Sequence, residues 1–199
     1  LGVGDRIGGL VFSDTDMVEV RPERARRTVL HQLSQIVAFN QRLGVGRGIA
    51  SNPGMLNRAL ERVQRLALHD ATVIVISDFD GADSATHDII ADLARHNSVI
   101  ALLVHDPLQS ELPASARMTV TDGELQIVLE VGRESVRKSI QEVTEARLRS
   151  VFAWTRELGV PVLPLSAAED TPRQIQKLIG QVPTLNGRNE PPELGGALG

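Results

Sequence analysis

Cysteine is absent from the 199 residues, which excludes disulfide cross-links and thiolate chemistry. Tyrosine is absent too, with one tryptophan and four phenylalanines, so the chain has no aromatic platform on which bases could stack. Its net charge of −4, with the basic residues scattered, gives no electrostatic footprint for nucleic acid. No apolar run approaches the roughly 20 residues that span a bilayer. Residues 1–10 have neither the charged start nor the apolar stretch of a signal peptide. Together with the missing cysteines, this predicts a cytoplasmic protein. No Gly-x-Ser-x-Gly elbow and no Gly-Lys-Ser/Thr phosphate loop occurs, so neither serine hydrolysis nor P-loop nucleotide chemistry has its usual carrier.

What is present is ordinary globular material, 42% hydrophobic, enough for one substantial core. Its organising stretch is T-V-I-V-I-S-D-F-D at 72–80. Five uniformly apolar or β-branched residues, 72–76, predict a central strand buried on both faces. The polar residues Ser77, Asp78 and Asp80 follow at its carboxyl end, where open α/β sheets place their ligands. Asp78 is the first candidate for function and Asp80 the second. Both also suit a structural task, capping the loop or the next helix through backbone N–H groups.

Along the chain, 5–13 and 18–20 read as two strands of a hairpin. A helix from Arg21-Pro22-Glu23 to about Leu43 follows, with Val29, Leu30, Leu33, Ile36, Val37 and Phe39 toward the core and Arg24, Arg26 and Arg27 on the wet side. Those arginines read as a solvated face, with docking of an acidic partner as the alternative. Residues 44–48, G-V-G-R-G, resemble a phosphate loop by composition only. A helix begins near Asn52-Pro53-Gly54, and Asp83-Ser84 caps the next, whose Ile89, Ile90 and Leu93 face the core. A second buried strand, 99–104, closes on His105-Asp106-Pro107. That dyad invites a hydrolase reading, but adjacent residues of an extended chain point to opposite faces. His31, His69, His87 and His96 have no ligand spacing. Asp122-Gly123 predicts a hairpin turn. A long helix over 134–158, an edge strand over 160–165 carrying Pro161 and Pro164, and a helix over 171–179 complete the pattern. Residues 181–199, rich in Pro, Gly and Asn, read as a loose tail.

Strand and helix alternate as in a doubly wound, mainly parallel α/β sheet with helices on both faces and an inserted β-hairpin. The opening hairpin leaves such a sheet without an early central strand, so the expectation is the carboxyl-terminal part of a longer protein, with one domain over 1–180.

Four stretches carry a family resemblance: G-D-R-I-G-G-L-V-F at 4–12, R-P-E-R-A-R-R-T-V-L-H-Q-L at 21–33, V-I-V-I-S-D-F at 73–79 and V-I-A-L-L-V-H-D-P-L-Q-S-E-L-P at 99–113. In this order and spacing they resemble the bacterial "domain of unknown function 58" family. The resemblance implies a von Willebrand factor A-like domain, amino-terminally truncated here, which in complete form holds Mg²⁺ at a metal-ion-dependent adhesion site. It also implies work beside a MoxR-type AAA+ ATPase in assembling or activating other proteins. Of the adhesion-site motifs, the first, Asp-x-Ser-x-Ser, would lie upstream of Leu1. The second, a threonine, falls at Gly54, which has no side-chain oxygen. Asp78 matches the third. Asp80, Ser51 and Asn52 are the remaining candidate ligands, a set that predicts no Mg²⁺ in these 199 residues alone.

Three functions follow from these residues. The first is a protein-interaction module without catalytic residues, forming a homodimer if an interior strand edge stays open. The second is a metal-dependent hydrolase on Asp78, Asp80 and Asp83, disfavoured because the carboxylates cluster on one loop. The third is a nucleotide-binding domain, which lacks glycine-rich contacts directly after a strand.

Overall fold

The computed structural model describes residues 5–43, 52–106, 117–121, 126–130 and 134–179. The G-V-G-R-G run, Ser51, the Asp122-Gly123 turn and the tail lie outside the described residues. The chain opens on two antiparallel strands, β1 (Ile7–Phe12) and β2 (Met17–Glu23), paired from Phe12↔Met17 outward with a register shift between Ile7 and Gly9. Their turn closes through the Ser13 N–H donating to the Asp16 carbonyl at 2.8 Å. Then come α1 (Arg26–Arg42), α2 (Gly54–Leu66), β3 (Thr72–Ser77), α3 (Ser84–His96) and β4 (Ser98–His105). An antiparallel pair, β5 (Arg117–Thr121) and β6 (Gln126–Glu130), precedes α4 (Glu134–Glu157), β7 (Val162–Ser166) and α5 (Thr171–Ile179).

The central layer is a three-stranded parallel sheet in the order β3-β4-β7. Val73 and Val75 of β3 and Val99, Ala101 and Leu103 of β4 share one face in register. Onto this core come Leu56 and Leu60 of α2, Ile90 and Leu93 of α3, and Val151 and Trp154 of α4. Each fully buried large apolar side chain contributes about 1.5–3 kcal/mol. The mixed α/β architecture, the hairpin after β4, the edge position of β7 and the core faces of α2 and α3 follow the sequence pattern.

Two expectations fail. β3 is neither central nor buried on both faces. Among the described residues it is an edge strand, and its second face is bare, with Ile74 55% and Ile76 62% exposed. A continuous run of Val and Ile carries no information on whether the far face has a cover. Nor does the first helix begin at Arg21. Residues 21–23 finish β2, where Pro22 is tolerated because an edge strand can spare a donor, and Gly8 leaves room for its ring: a Cβ there would lie 2.8 Å from Pro22 Cγ. The helix that does form turns Thr28 and Phe39 inward and leaves Leu30, Leu33, Ile36 and Val37 exposed. Of the apolar stripe only Phe39 reaches the buried side, because helical spacing marks one face of a helix and not which side of it the core lies on.

Candidate functional site

The carboxyl end of the sheet carries the polar loops. Immediately after β3, the loop folds on its own side chains. The Phe79 N–H donates to Ser77 Oγ at 3.0 Å and the Asp80 N–H to Asp78 Oδ1 at 3.1 Å. Ser77 Oγ also reaches Asp78 Oδ1 at 3.4 Å. Phe79 takes a positive φ of 54° and is fully buried. Its ring meets Trp154 edge-on, with centroids 5.4 Å apart. Burying the residue between two aspartates turns both carboxylates outward, and Asp78 and Asp80 are exposed.

Asp80 does not stand alone. Its Oδ1 accepts from Arg147 Nη1 of α4 at 2.9 Å, a partner 67 residues away that no local pattern could reveal. The exposure of Asp80 keeps such a pair within about 0–1 kcal/mol. Asp83 belongs to the scaffold. It is the N-cap of α3, accepting from the Thr86 N–H at 2.9 Å while its own N–H donates to Thr86 Oγ1 at 2.9 Å. Asn57 of α2 extends this capping box, donating to Asp83 Oδ1 at 3.0 Å and accepting from Thr86 Oγ1 at 2.6 Å. These bonds, the Thr86 N–H first and Asn57 next, hold the Asp83 carboxyl below its ordinary pKa. A depressed carboxylate stabilises the fold above its unfolded pKa, and the contribution disappears as pH falls through the lower folded value. The thermal midpoint is therefore expected to drop as pH is taken below about 4. Asp83→Asn, which keeps the acceptor and loses the charge, should flatten that drop in a melting series over pH, whereas Asp83→Ala lowers the midpoint at every pH.

A second loop reaches the same end. The Asn52 N–H donates to Asp14 Oδ1 at 2.9 Å and Asn52 Nδ2 to the Asp14 carbonyl at 3.3 Å. Asn52 thereby ties the start of α2 to the β1–β2 turn. This loop touches the Asp78 loop where a Cβ on Gly81 would lie 2.5 Å from Pro53 Cβ. Asp14, Asn57 and Arg147 are the members that sequence reasoning missed. The signal for all three is long-range pairing, which periodicity does not encode.

The donors at this end of the sheet are few for a divalent cation. Asp78 Oδ1 and Asp80 Oδ1 each accept a hydrogen bond, Asn52 is held at Asp14 through its N–H and Nδ2, and Gly54 offers only backbone. Among the described residues no group of three His, Cys, Asp or Glu side chains could hold a metal ion. Mg²⁺ prefers six oxygens in octahedral array, and these residues by themselves do not fit it. A cavity of about 560 Å³ lies elsewhere, at the amino end of β3 and β4 between His69, Asp70, Arg95 and His96. There Asn97 binds the carbonyls of Ala67 and Leu93 and the Ala71 N–H, all at 3.1 Å, stitching α2, α3 and β3 together. Among the described residues no helix is long and apolar enough to cross a membrane.

Comparison with known proteins gives one family model, described as "Protein of unknown function DUF58", which matches residues 1–149. Uncharacterized protein Rv1480 of Mycobacterium tuberculosis and uncharacterized protein Mb1516 of Mycobacterium bovis are each 28% identical over 170 residues, covering 85% of this chain and 51% of their own. Uncharacterized protein MAV169 of Mycobacterium avium is 27% identical over 150 residues, 75% of this chain and 85% of its own. The chain thus spans about half the length of the first two relatives. No solved structure matches.

Proposed function

Because this chain belongs to the DUF58 family, we propose that it is a protein-interaction module of von Willebrand factor A type that presents the carboxyl-end loops of its sheet to a partner, a MoxR-type AAA+ ATPase. The observation that supports this reading is the loop at 77–83. Phe79 anchors it in the core while Asp78 and Asp80 face solvent, and a rigid frame holding exposed polar groups suits recognition of a protein surface. A cation at Asp78 requires further oxygens from the partner or from a longer chain, and binding through the loop does not depend on it. The ATPase connection rests on the family resemblance alone.

The test is binding of the purified chain to a purified MoxR-type ATPase from the same organism by interferometry, with and without Mg²⁺. Asp78→Ala and Asp80→Ala should each weaken the complex about tenfold or more, the range of a central interface residue, while the loss of one exposed hydrogen bond or ion pair costs stability only about 1 kcal/mol or less. The competing reading, a metal-dependent hydrolase on the Asp78 and Asp80 loop, is checked on the same preparations by a phosphodiesterase assay with Mn²⁺. Turnover abolished by Asp78→Ala would replace the binding reading.

The edge of β3 that is open among the described residues adds a second expectation. Residues 72–77 are uncharged, and an uncharged free edge is a template for pairing with another strand. The proposed state of the 199-residue chain is a homodimer joined through β3. Ile76→Lys should leave stability within about 0.5 kcal/mol of the parent, as for other exposed positions, and shift the light-scattering mass from dimer to monomer. An unchanged mass would remove β3 as the contact.

A further inference from the structure

The helix α1 is built the wrong way round for a helix that serves only its own hairpin. Its inward row is partly polar: Thr28 is buried, and Gln32 lies so close to β1 that a Cβ on Gly9 would meet its side chain. Gln32 Oε1 is buried and makes no hydrogen bond among the described residues. The outward row is apolar. Leu30, Leu33, Ile36 and Val37 are between 47% and 58% exposed. Leu30, Leu33 and Val37 stand at i, i+3 and i+7, the spacing of a helix-packing seam, and Arg26 continues the row one turn earlier.

The charge on this helix has one sign. Residues 26–42 contain Arg26, Arg27 and Arg42 and no Asp or Glu. Arg27 reaches Glu23 of β2 at 3.6 Å and Arg42 reaches Asp16 at 3.9 Å. Arg24 and Arg26 make no ion pair among the described residues. A second copy of α1 would bring no acidic residue to these arginines in either orientation. An interfacial lipid-binding helix sets Trp, Phe or Leu opposite a Lys/Arg-rich face, whereas the one aromatic of this helix, Phe39, points inward. What complements both the seam and the charge is an amphipathic helix with carboxylates beside its apolar row.

We propose that α1 is a docking helix for an acidic amphipathic helix of a partner protein, which lays its apolar row along Leu30, Leu33, Ile36 and Val37 and sets carboxylates against Arg26 and Arg27. The proposal deepens the protein-binding reading and rests on it, but it uses a surface separate from the Asp78 loop and needs no cation.

The experiment titrates the 199-residue chain with a synthetic helical peptide carrying Leu at heptad positions a and d and Glu at e and g, followed by NMR. Its Lys-for-Glu counterpart and phosphatidylcholine vesicles containing phosphatidylglycerol are titrated in parallel. Binding of the Glu peptide should shift amides of 26–37 and be weakened about tenfold or more by Leu33→Asp and by Arg26→Glu. Both residues are exposed, so an unchanged melting curve verifies the fold of each variant. Asp78→Ala should bind the peptide like the parent, which separates this surface from the loop: loss of ATPase binding with retained peptide binding would fault the loop reading alone. Equal binding of the Glu and Lys peptides, unaltered binding by Leu33→Asp, or capture by the vesicles without capture by the peptide would each overturn the proposal.

Discussion

Phe79→Ala should cost about 3–5 kcal/mol, the range for deleting a buried phenyl ring. Phe79 is fully buried, and its edge-on contact with Trp154, centroids 5.4 Å apart at an interplanar angle of 85°, adds about 0.5–1.5 kcal/mol beyond area burial. The ring also holds the loop: a positive φ of 54° at a non-glycine residue persists only where the surroundings enforce it. Removing the ring therefore releases Asp78 and Asp80 together, and partner binding should fall further than either aspartate variant alone makes it fall. Trp154 is the single tryptophan, so its fluorescence during urea unfolding reports both the stability and the loss of this contact. Phe79→Leu, closer in volume, should cost less than half as much. An alanine variant that unfolds with the parent midpoint would mean that the loop is not anchored here.

Gly81→Ala should cost about 2–5 kcal/mol. The residue has φ of 79°, where a Cβ costs about 1–2 kcal/mol. That Cβ would also lie 2.5 Å from Pro53 Cβ and 2.9 Å from the Pro53 carbonyl oxygen, and overpacking of this kind adds about 1–3 kcal/mol. Gly159 provides an internal control. Its φ is 68°, yet nothing lies within 4 Å of an added Cβ, so Gly159→Ala should carry only the backbone part, about 1–2 kcal/mol. Denaturation curves of the two variants separate the cost of close approach from the cost of conformation. Equal destabilisation would show that the loops at 52–54 and 77–83 do not depend on their contact.

Much of the fold could be read from local signals. The apolar spacing of Leu56, Ala59 and Leu60 placed α2, Asp83 marked the start of α3, and Pro161 and Pro164 put the last strand at an edge. Local patterns failed where the answer depended on what else is nearby. The Val-Ile run of β3 is the same whether its second face is covered or bare. The stripe of α1 is the same whether it looks in or out, and here Phe39 and Thr28 decide the inside. At the candidate site, Asp78 and Asp80 are where strand-end reasoning put them. Their partners are another matter: Arg147 and Asn57 sit on distant helices, and Asn52, considered as a ligand, is engaged with Asp14. Ionic and capping contacts across such separations leave no periodic trace in one sequence.

The carboxyl-end loops, held by Phe79, are the surface proposed to meet a protein partner. Hydrogen exchange read by mass spectrometry, on the chain alone and in complex with a MoxR-type ATPase, tests it most directly. Exchange should slow in peptides spanning 52–54 and 77–83, with the cavity-lining residues 94–98 at the opposite end of the sheet unchanged. A complex whose protection falls at the amino end, and leaves the Asp78 loop exchanging as in the free chain, would contradict it.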